Sequence, residues 1–151
     1  MGAMFDTVRQ FFDDDEWYFM QMDSRPVLQM SHTGQSGRWP CYAQVDEGDF
    51  MFFFYSVCPV TVPESQRSAM AEYLTRANYG LKVGNFEMDF SDGEVRFKTS
   101  LDVENGELPL PLVSNLVYAN VWTMDRYLPG IFEVIYGHKT PEQAILTVEG
   151  S

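Results

Sequence analysis

Basic residues are scarce in this chain of 151 residues: ten Lys and Arg stand against twenty-two Asp and Glu, a formal net charge of -12. Nucleic-acid affinity comes largely from Lys and Arg displacing counterions from phosphates. A field of this sign repels phosphate, and no Lys/Arg cluster offers a local exception. The composition therefore argues against nucleic-acid binding, and equally against attachment to an anionic membrane. Histidine is scarcer still. His32 and His138 lie far apart in sequence without flanking ligands, so no metal-binding spacing is present and both read as structural or surface residues. The two cysteines, Cys41 and Cys58, read as small core hydrophobes rather than a disulfide framework. Long apolar runs are missing as well. The longest, residues 50–55, is strand-sized, where a membrane-crossing helix needs about 20 residues. The N-terminus lacks the basic-then-apolar pattern of a signal peptide, and Asp6 stands where a myristoylation motif following Gly2 wants Ser or Thr. The cytoplasm is the expected location.

Catalytic motifs are also lacking. There is no G-x-S-x-G and no P-loop, and Gly80, Gly84 and Gly93 have the wrong spacing for a dinucleotide fingerprint. The acidic run Asp13-Asp14-Asp15-Glu16 has neither the alternation nor the central glycine of a calcium loop, and reads as a solvated turn. No catalytic residue and no cofactor are predicted, and the chain is not expected to be an enzyme.

What is abundant is apolar and aromatic. Hydrophobic residues make up 45% of the chain, with 12 Phe, 8 Tyr and 3 Trp. That is enough to build a core, so disorder is excluded and one domain over residues 1–151 is expected. Phe5, Val8 and Phe12 fall on one face of a helix over 5–14. Strands follow over 17–22, 27–33, 39–46 and 50–58, with a turn at 23–26 and a polar loop at 34–37. A two-residue turn at Glu47-Gly48 would set Val45 opposite Phe50, Ala43 opposite Phe52 and Cys41 opposite Phe54. Cys58 would then lie about 13 Å beyond Cys41's partner, too far for a disulfide. Met20, Met22 and Met30 read as core filler.

Pro63 opens a second helix with Met70, Tyr73, Leu74 and Ala77 as its apolar stripe and Gly80 as its terminator. Residues 83–90 and 94–101 alternate around Asp92-Gly93, the preferred dipeptide of a type I′ turn. That register pairs Phe90 with Val95, Met88 with Phe97 and Phe86 with Thr99 on one face. On the other it pairs Asp89 with Arg96 and Glu87 with Lys98. These carboxylates face solvent beside cations, which keeps them ionised and makes them structural rather than catalytic. After a loop over 105–111, Pro111 starts a third helix that Pro129 should kink or restart, ending at Gly137. Thr140-Pro141-Glu142-Gln143 resembles a capping box for a short final helix.

The strand over 50–58 carries the functional signal. Phe50, Phe52 and Phe54 continue the core face of Trp39, Cys41, Ala43 and Val45. Met51, Phe53, Tyr55 and Val57 then emerge on the opposite face, beside Tyr42. An aromatic cluster on an otherwise polar sheet face points to a protein partner or a homodimer contact, unless another element of the chain covers it.

Trp39…Cys41-Tyr42-Ala43-Gln44, Tyr55-Ser56-Val57-Cys58-Pro59 with Val62-Pro63, Arg76-Ala77-Asn78-Tyr79-Gly80, Gly84-Asn85-Phe86-Glu87-Met88-Asp89-Phe90, Asp92-Gly93-Glu94-Val95-Arg96-Phe97, Tyr127-Leu128-Pro129-Gly130 and Tyr136-Gly137 resemble the YbjN-like family, labelled bacterial sensory transduction regulators, in particular its cyanobacterial branch. The resemblance implies an α+β fold like that of type III secretion chaperones, with helices on one face of an antiparallel sheet in α-β-α-β-α order. The element order read from the residues agrees. The resemblance supplies no catalytic residues, and it implies a regulator or chaperone-like adaptor that binds a client protein. The alternative is a small-ligand sensor with an apolar pocket between helices and sheet, lined by residues such as Met70, Tyr73, Phe86 and Met88.

Overall fold

The computed structural model describes residues 2–105 and 107–150; Met1, Ser151 and, within the predicted loop, Gly106 lie outside the described residues. The elements run α1 (Ala3–Asp14), β1 (Phe19–Gln21), β2 (Val27–Thr33), β3 (Arg38–Asp46), β4 (Met51–Val57), α2 (Arg67–Asn78, after a 3-10 turn at Glu64–Gln66), β5 (Asn85–Met88), β6 (Val95–Asp102), α3 (Leu110–Ile135) and α4 (Pro141–Glu149). Among the described residues the strands form one antiparallel sheet in the order β1-β2-β3-β4-β6-β5. The helices cover one face of it, as the expected α+β architecture requires.

That covered face is the core. Trp39, Cys41, Ala43 and Val45 of β3, Phe52 and Phe54 of β4, and Val95 and Phe97 of β6 are all buried. Val8 and Phe12 of α1 and Val113, Val117, Val121 and Met124 of α3 close over them, with Phe12 stacked on Phe54 at 6.0 Å. Met70, Tyr73, Leu74 and Ala77 form the buried stripe of α2, as their helical spacing predicts. At α4 the capping box is complete: Thr140 accepts from the Gln143 N–H and Gln143 accepts from the Thr140 N–H.

Both hairpins depart from their predicted registers, each by two residues. Between β3 and β4 the turn takes four residues, 47–50, so that Val45 lies opposite Phe52, Ala43 opposite Phe54 and Cys41 opposite Ser56. Phe50 is therefore not a core residue: it occupies the turn at φ 56 and is exposed. Glu47 supplies a reason. Its carboxylate accepts from the N–H groups of Met4 and Phe5, at 3.3 and 3.4 Å, satisfying the N-terminus of α1. In the second hairpin the loop spans 90–93, closed by the Asp89 N–H to Glu94 carbonyl bond at 2.9 Å. Gly93, at φ 80, packs its backbone against Val62, where a Cβ would stand 2.1 Å from the Val62 carbonyl oxygen. Phe86 consequently lies opposite Phe97 and Met88 opposite Val95, while Phe90 is exposed. Glu87 lies opposite Arg96 and bonds it at 2.6 Å, whereas Asp89 turns to Ser91. Because side chains alternate with period two, a two-residue shift leaves every side chain that stays within the strands on its predicted face.

Three smaller expectations also change. Cys58 lies two positions, not four, beyond Cys41's partner; both thiols are free and buried, and burial pushes them up to about 11 and about 12 respectively. Met20 is exposed rather than core, because β1 covers only three residues at the sheet edge. Finally, α3 runs unbroken through Pro129.

Candidate functional site

Even-numbered side chains of β4 point into the core, so Met51, Phe53, Tyr55 and Val57 emerge on the face that, among the described residues, carries no helix. All four are half-buried by their neighbours in the sheet. The register places Tyr42 directly opposite Tyr55 and Gln44 opposite Phe53. Phe53 and Tyr55 lie two apart on one strand with their rings parallel, 7° between planes and 6.1 Å between centroids. The sequence-predicted residues are thus brought to one surface, with Tyr42, Phe53 and Tyr55 at its centre and Met51 and Val57 at its two ends.

The charged face of the second hairpin, which the sequence reading sets on the same side of the sheet, completes this surface. Arg96 lies opposite Val57, and its guanidinium sits 4.3 Å from the centroid of the Tyr55 ring, where the π-face attracts a cation. Its Nε donates to Glu87, whose other carboxylate oxygen lies 3.6 Å from Lys98 Nζ. Burial raises the Tyr55 hydroxyl above its ordinary range; Arg96 works against that shift and Glu87 adds to it. At the other end of the strands, Asp46 and Asp102 flank Met51 in one row. A groove of about 270 Å³ crosses the face, with Arg25, Val27, Tyr42, Tyr55 and Arg96 among its walls. The pairing of β4 with β6, which no turn joins, sets Arg96 beside Tyr55.

The residues named for an internal ligand pocket are instead packed. Tyr73 donates to the Tyr127 carbonyl at 2.8 Å, Phe86 sets its ring at an angle against Phe97 and Tyr127, and Met70 is fully buried. Only Met88 is half-buried. A separate cavity of about 550 Å³ opens at the rim, beside the segment that leads from α1 into β1, and its walls include Trp17, His32, Arg38 and Tyr118. His32 is held between Trp17 and Trp39, with centroids at 5.6 and 5.3 Å. Burial lowers its pKa, partly offset by the charge of Asp125. Asp15, from the acidic run, accepts from Trp17 Nε1 and from the Tyr118 hydroxyl. Among the described residues no cluster of His, Cys, Asp and Glu could hold a metal, and no helix is long and apolar enough to cross a membrane.

A family model for YbjN, described as "Putative bacterial sensory transduction regulator", matches residues 5–133. Among solved structures, YbjN from E. coli superposes with a TM-score of 0.61 at 17% identity, covering 87% of each chain. A chain of the HopA1–SchA chaperone–effector complex gives 0.53 at 12% identity over 78% of this chain and 88% of that one. A chain of the complex between the Yersinia pestis type III secretion chaperone SycH and a YscM2 fragment gives 0.49 at 9% identity, over 79% and 94%. The first two likenesses establish the fold. No curated protein matches the chain.

Proposed function

The chain belongs to the YbjN family, and from that premise we propose that it is a cytoplasmic, non-enzymatic protein-binding regulator or chaperone-like adaptor that works as a homodimer. One observation carries the reading. Tyr42, Met51, Phe53, Tyr55 and Val57 form an aromatic and apolar strip on a sheet face that no helix among the described residues covers. Protein contact surfaces are enriched in such side chains at their centre. A chaperone–effector complex built on the same fold supports a protein as the partner.

Phe53→Glu tests it. The substitution puts a charge in the middle of the strip and leaves the core face of β4 untouched, so the fold should persist while self-association or partner capture weakens. Light scattering after size-exclusion chromatography reads the outcome. A monomeric wild type, or a variant whose dimer is unchanged, removes this surface from consideration.

A small-ligand reading draws its support from the rim cavity beside Trp17 and His32. It expects saturable thermal stabilisation by a metabolite, lost in Trp17→Ala; a metabolite screen without any such shift excludes it.

A further inference from the structure

We propose that the groove between α1 and α3, together with the rim cavity it opens into, docks a basic segment of a partner protein, with an Arg or Lys held at Asp15 and apolar side chains to either side. This contact is separate from the aromatic strip on the sheet face, and it gives the rim cavity an occupant other than a metabolite.

The charge at this place works against the fold. α1 ends on Asp13 and Asp14, and Asp15 and Glu16 follow at once, the latter at φ 59. The carbonyls of a helix C-terminus already concentrate negative charge, so acidic side chains are unfavourable there and cations favourable. No basic residue stands in the last turn of α1, and none of the four carboxylates has a cation partner among the described residues. Natural proteins break such local rules mainly at functional sites. A cation supplied from outside relieves both the mutual repulsion and the conflict with the helix.

One of these carboxylates is held in position. Asp15 Oδ2 accepts from Trp17 Nε1 at 2.9 Å and from the Tyr118 hydroxyl, whereas Oδ1 has no partner among the described residues. Burial and the bond to Asp15 raise the Tyr118 hydroxyl above its ordinary range, so it stays a donor at neutral pH. Aromatic rings gather around this fixed charge. Tyr118 lies 6.3 Å from Trp17, 5.4 Å from Trp122 and 6.5 Å from Phe11, and Trp122 is 66% exposed. A carboxylate beside open aromatic faces recognises an ammonium or guanidinium group, through an ion pair and cation–π attraction together.

The extent of the surface selects a peptide. Asp15 lines both the rim cavity of about 550 Å³ and the α1–α3 groove of about 270 Å³, whose walls include Phe11, Asp14, Leu110 and Pro111. From Leu110 to Trp122, α3 advances about 18 Å at helical rise, the length of about five extended residues. A metabolite would fill one end, and a chain segment fills both. Phe11, Leu110 and Pro111 receive apolar side chains at one end; Trp17 and Trp122 receive them at the other. Arg38 is the only cation among the walls, against Asp14, Asp15 and Glu16, and burial lowers the pKa of His32. Such a field repels phosphate and favours a basic segment.

Three pools of short, acetylated and amidated peptides test this: apolar ends with Arg or Lys at the centre, apolar ends with Asp or Glu at the centre, and Ser ends with Arg or Lys at the centre. The readout is the indole N–H signals of the three tryptophans in proton–nitrogen NMR spectra. The first pool, and a single peptide taken from it, should shift Trp17 and Trp122 saturably and leave buried Trp39 in place. The other two pools should not. Asp15→Asn keeps an acceptor for Trp17 and Tyr118 and should weaken the peptide at least about tenfold, the equivalent of one close charge pair. Trp122→Ala should weaken it about threefold or more. Glu142→Gln makes the same change of net charge on α4 and should leave the affinity unaltered. Asp13→Asn/Asp14→Asn should weaken the peptide while raising the melting temperature of the free protein by about 2 °C, a combination that a structural role for these carboxylates would not produce. Trp122→Ala and the double variant, all at exposed positions, carry the test if Asp15→Asn disturbs the Trp39 signal. An unshifted Trp17, an equal response to all three pools, or equal weakening by Asp15→Asn and Glu142→Gln would leave only the general field of the chain and overturn the site. Spermidine that saturates the same signals at the same concentration would make it a small-cation site, which also overturns the proposal. Phe53→Glu should change none of these results, so failure of the sheet-face reading and failure of this one are told apart.

Discussion

Ser36 donates its hydroxyl hydrogen to the main-chain carbonyl of Asp125 at 2.7 Å, and that carbonyl is the one Pro129, four residues on, is unable to serve. A proline inside a helix normally costs about 3 kcal/mol, through the lost hydrogen bond and its clash with the preceding turn. Here the β2–β3 loop replaces the missing donor. It is held in place by the Asp125 carboxylate, which accepts from the N–H groups of Gln35 and Ser36 at 3.0 and 2.7 Å. Ser36→Ala should therefore destabilise the protein by about 1 kcal/mol, the typical net worth of such a bond. In a Pro129→Ala background residue 129 regains an N–H, and the same change should cost less. Urea unfolding of the double-mutant cycle measures the coupling; equal costs in both backgrounds would disconnect Ser36 from the proline.

Next to this proline, Gly130 leaves room for a core hydroxyl. A Cβ at position 130 would stand 2.1 Å from the Tyr73 hydroxyl oxygen, which bonds the Tyr127 carbonyl from within the core. Gly130→Ala should destabilise by about 1–3 kcal/mol through overpacking, despite alanine's better helix propensity. Adding Tyr73→Phe removes the closest clashing atom and should recover part of the loss. A stabilised Gly130→Ala variant in thermal or urea unfolding would contradict the contact.

How much of this was legible in the sequence depends on the range of the interaction. The face on which each β4 side chain emerges follows from alternation alone, so Phe53 and Tyr55 were assignable to the uncovered side. Register did not follow, because distant residues decide it. Glu47 is drawn to the N-terminus of α1, and Gly93 is pressed against Val62; neither contact leaves a mark near its own turn. Nor did the place of Arg96 over Tyr55 follow, because β4 and β6 pair across the intervening α2 and β5 with no turn between them to set their register. Pro129 signalled a break that the chain avoids through Ser36, a residue 93 positions earlier. Local chemistry was sufficient where the partners are local, as in the Thr140 capping box.

The ring of His32, between Trp17 and Trp39, makes the fold sensitive to acid. Burial lowers its pKa in the folded protein, so the unfolded chain takes up this proton first. Stability linked to His32 is fully present above its unfolded value of about 6.5 and is lost as pH falls below that value. His32→Gln should flatten the fall in the urea midpoint between about pH 7 and pH 5. An NMR titration placing the His32 pKa at or above the ordinary histidine value would refute the prediction.

Asn120 secures the strand whose other face carries the aromatic strip of Phe53 and Tyr55. Fully buried in α3, its Nδ2 donates to the carbonyls of Phe54 and Phe97 at 2.8 and 3.1 Å, tying the helix to β4 and β6 at once. Its Oδ1 has no partner among the described residues, so the side chain acts here as a donor. Asn120→Leu removes that donor and should cost about 1–3 kcal/mol. Asn120→Asp is the sharper test. An ionised carboxylate would face two carbonyl oxygens in a buried setting, all of them acceptors, so its pKa must rise on folding. The folded state then takes up the proton more readily than the unfolded chain, and the stability of the variant relative to wild type should improve as pH falls from 7 towards 5. Urea unfolding at both pH values reads this directly, and a gap that stays constant or widens on acidification would show that Asn120 does not act as the donor.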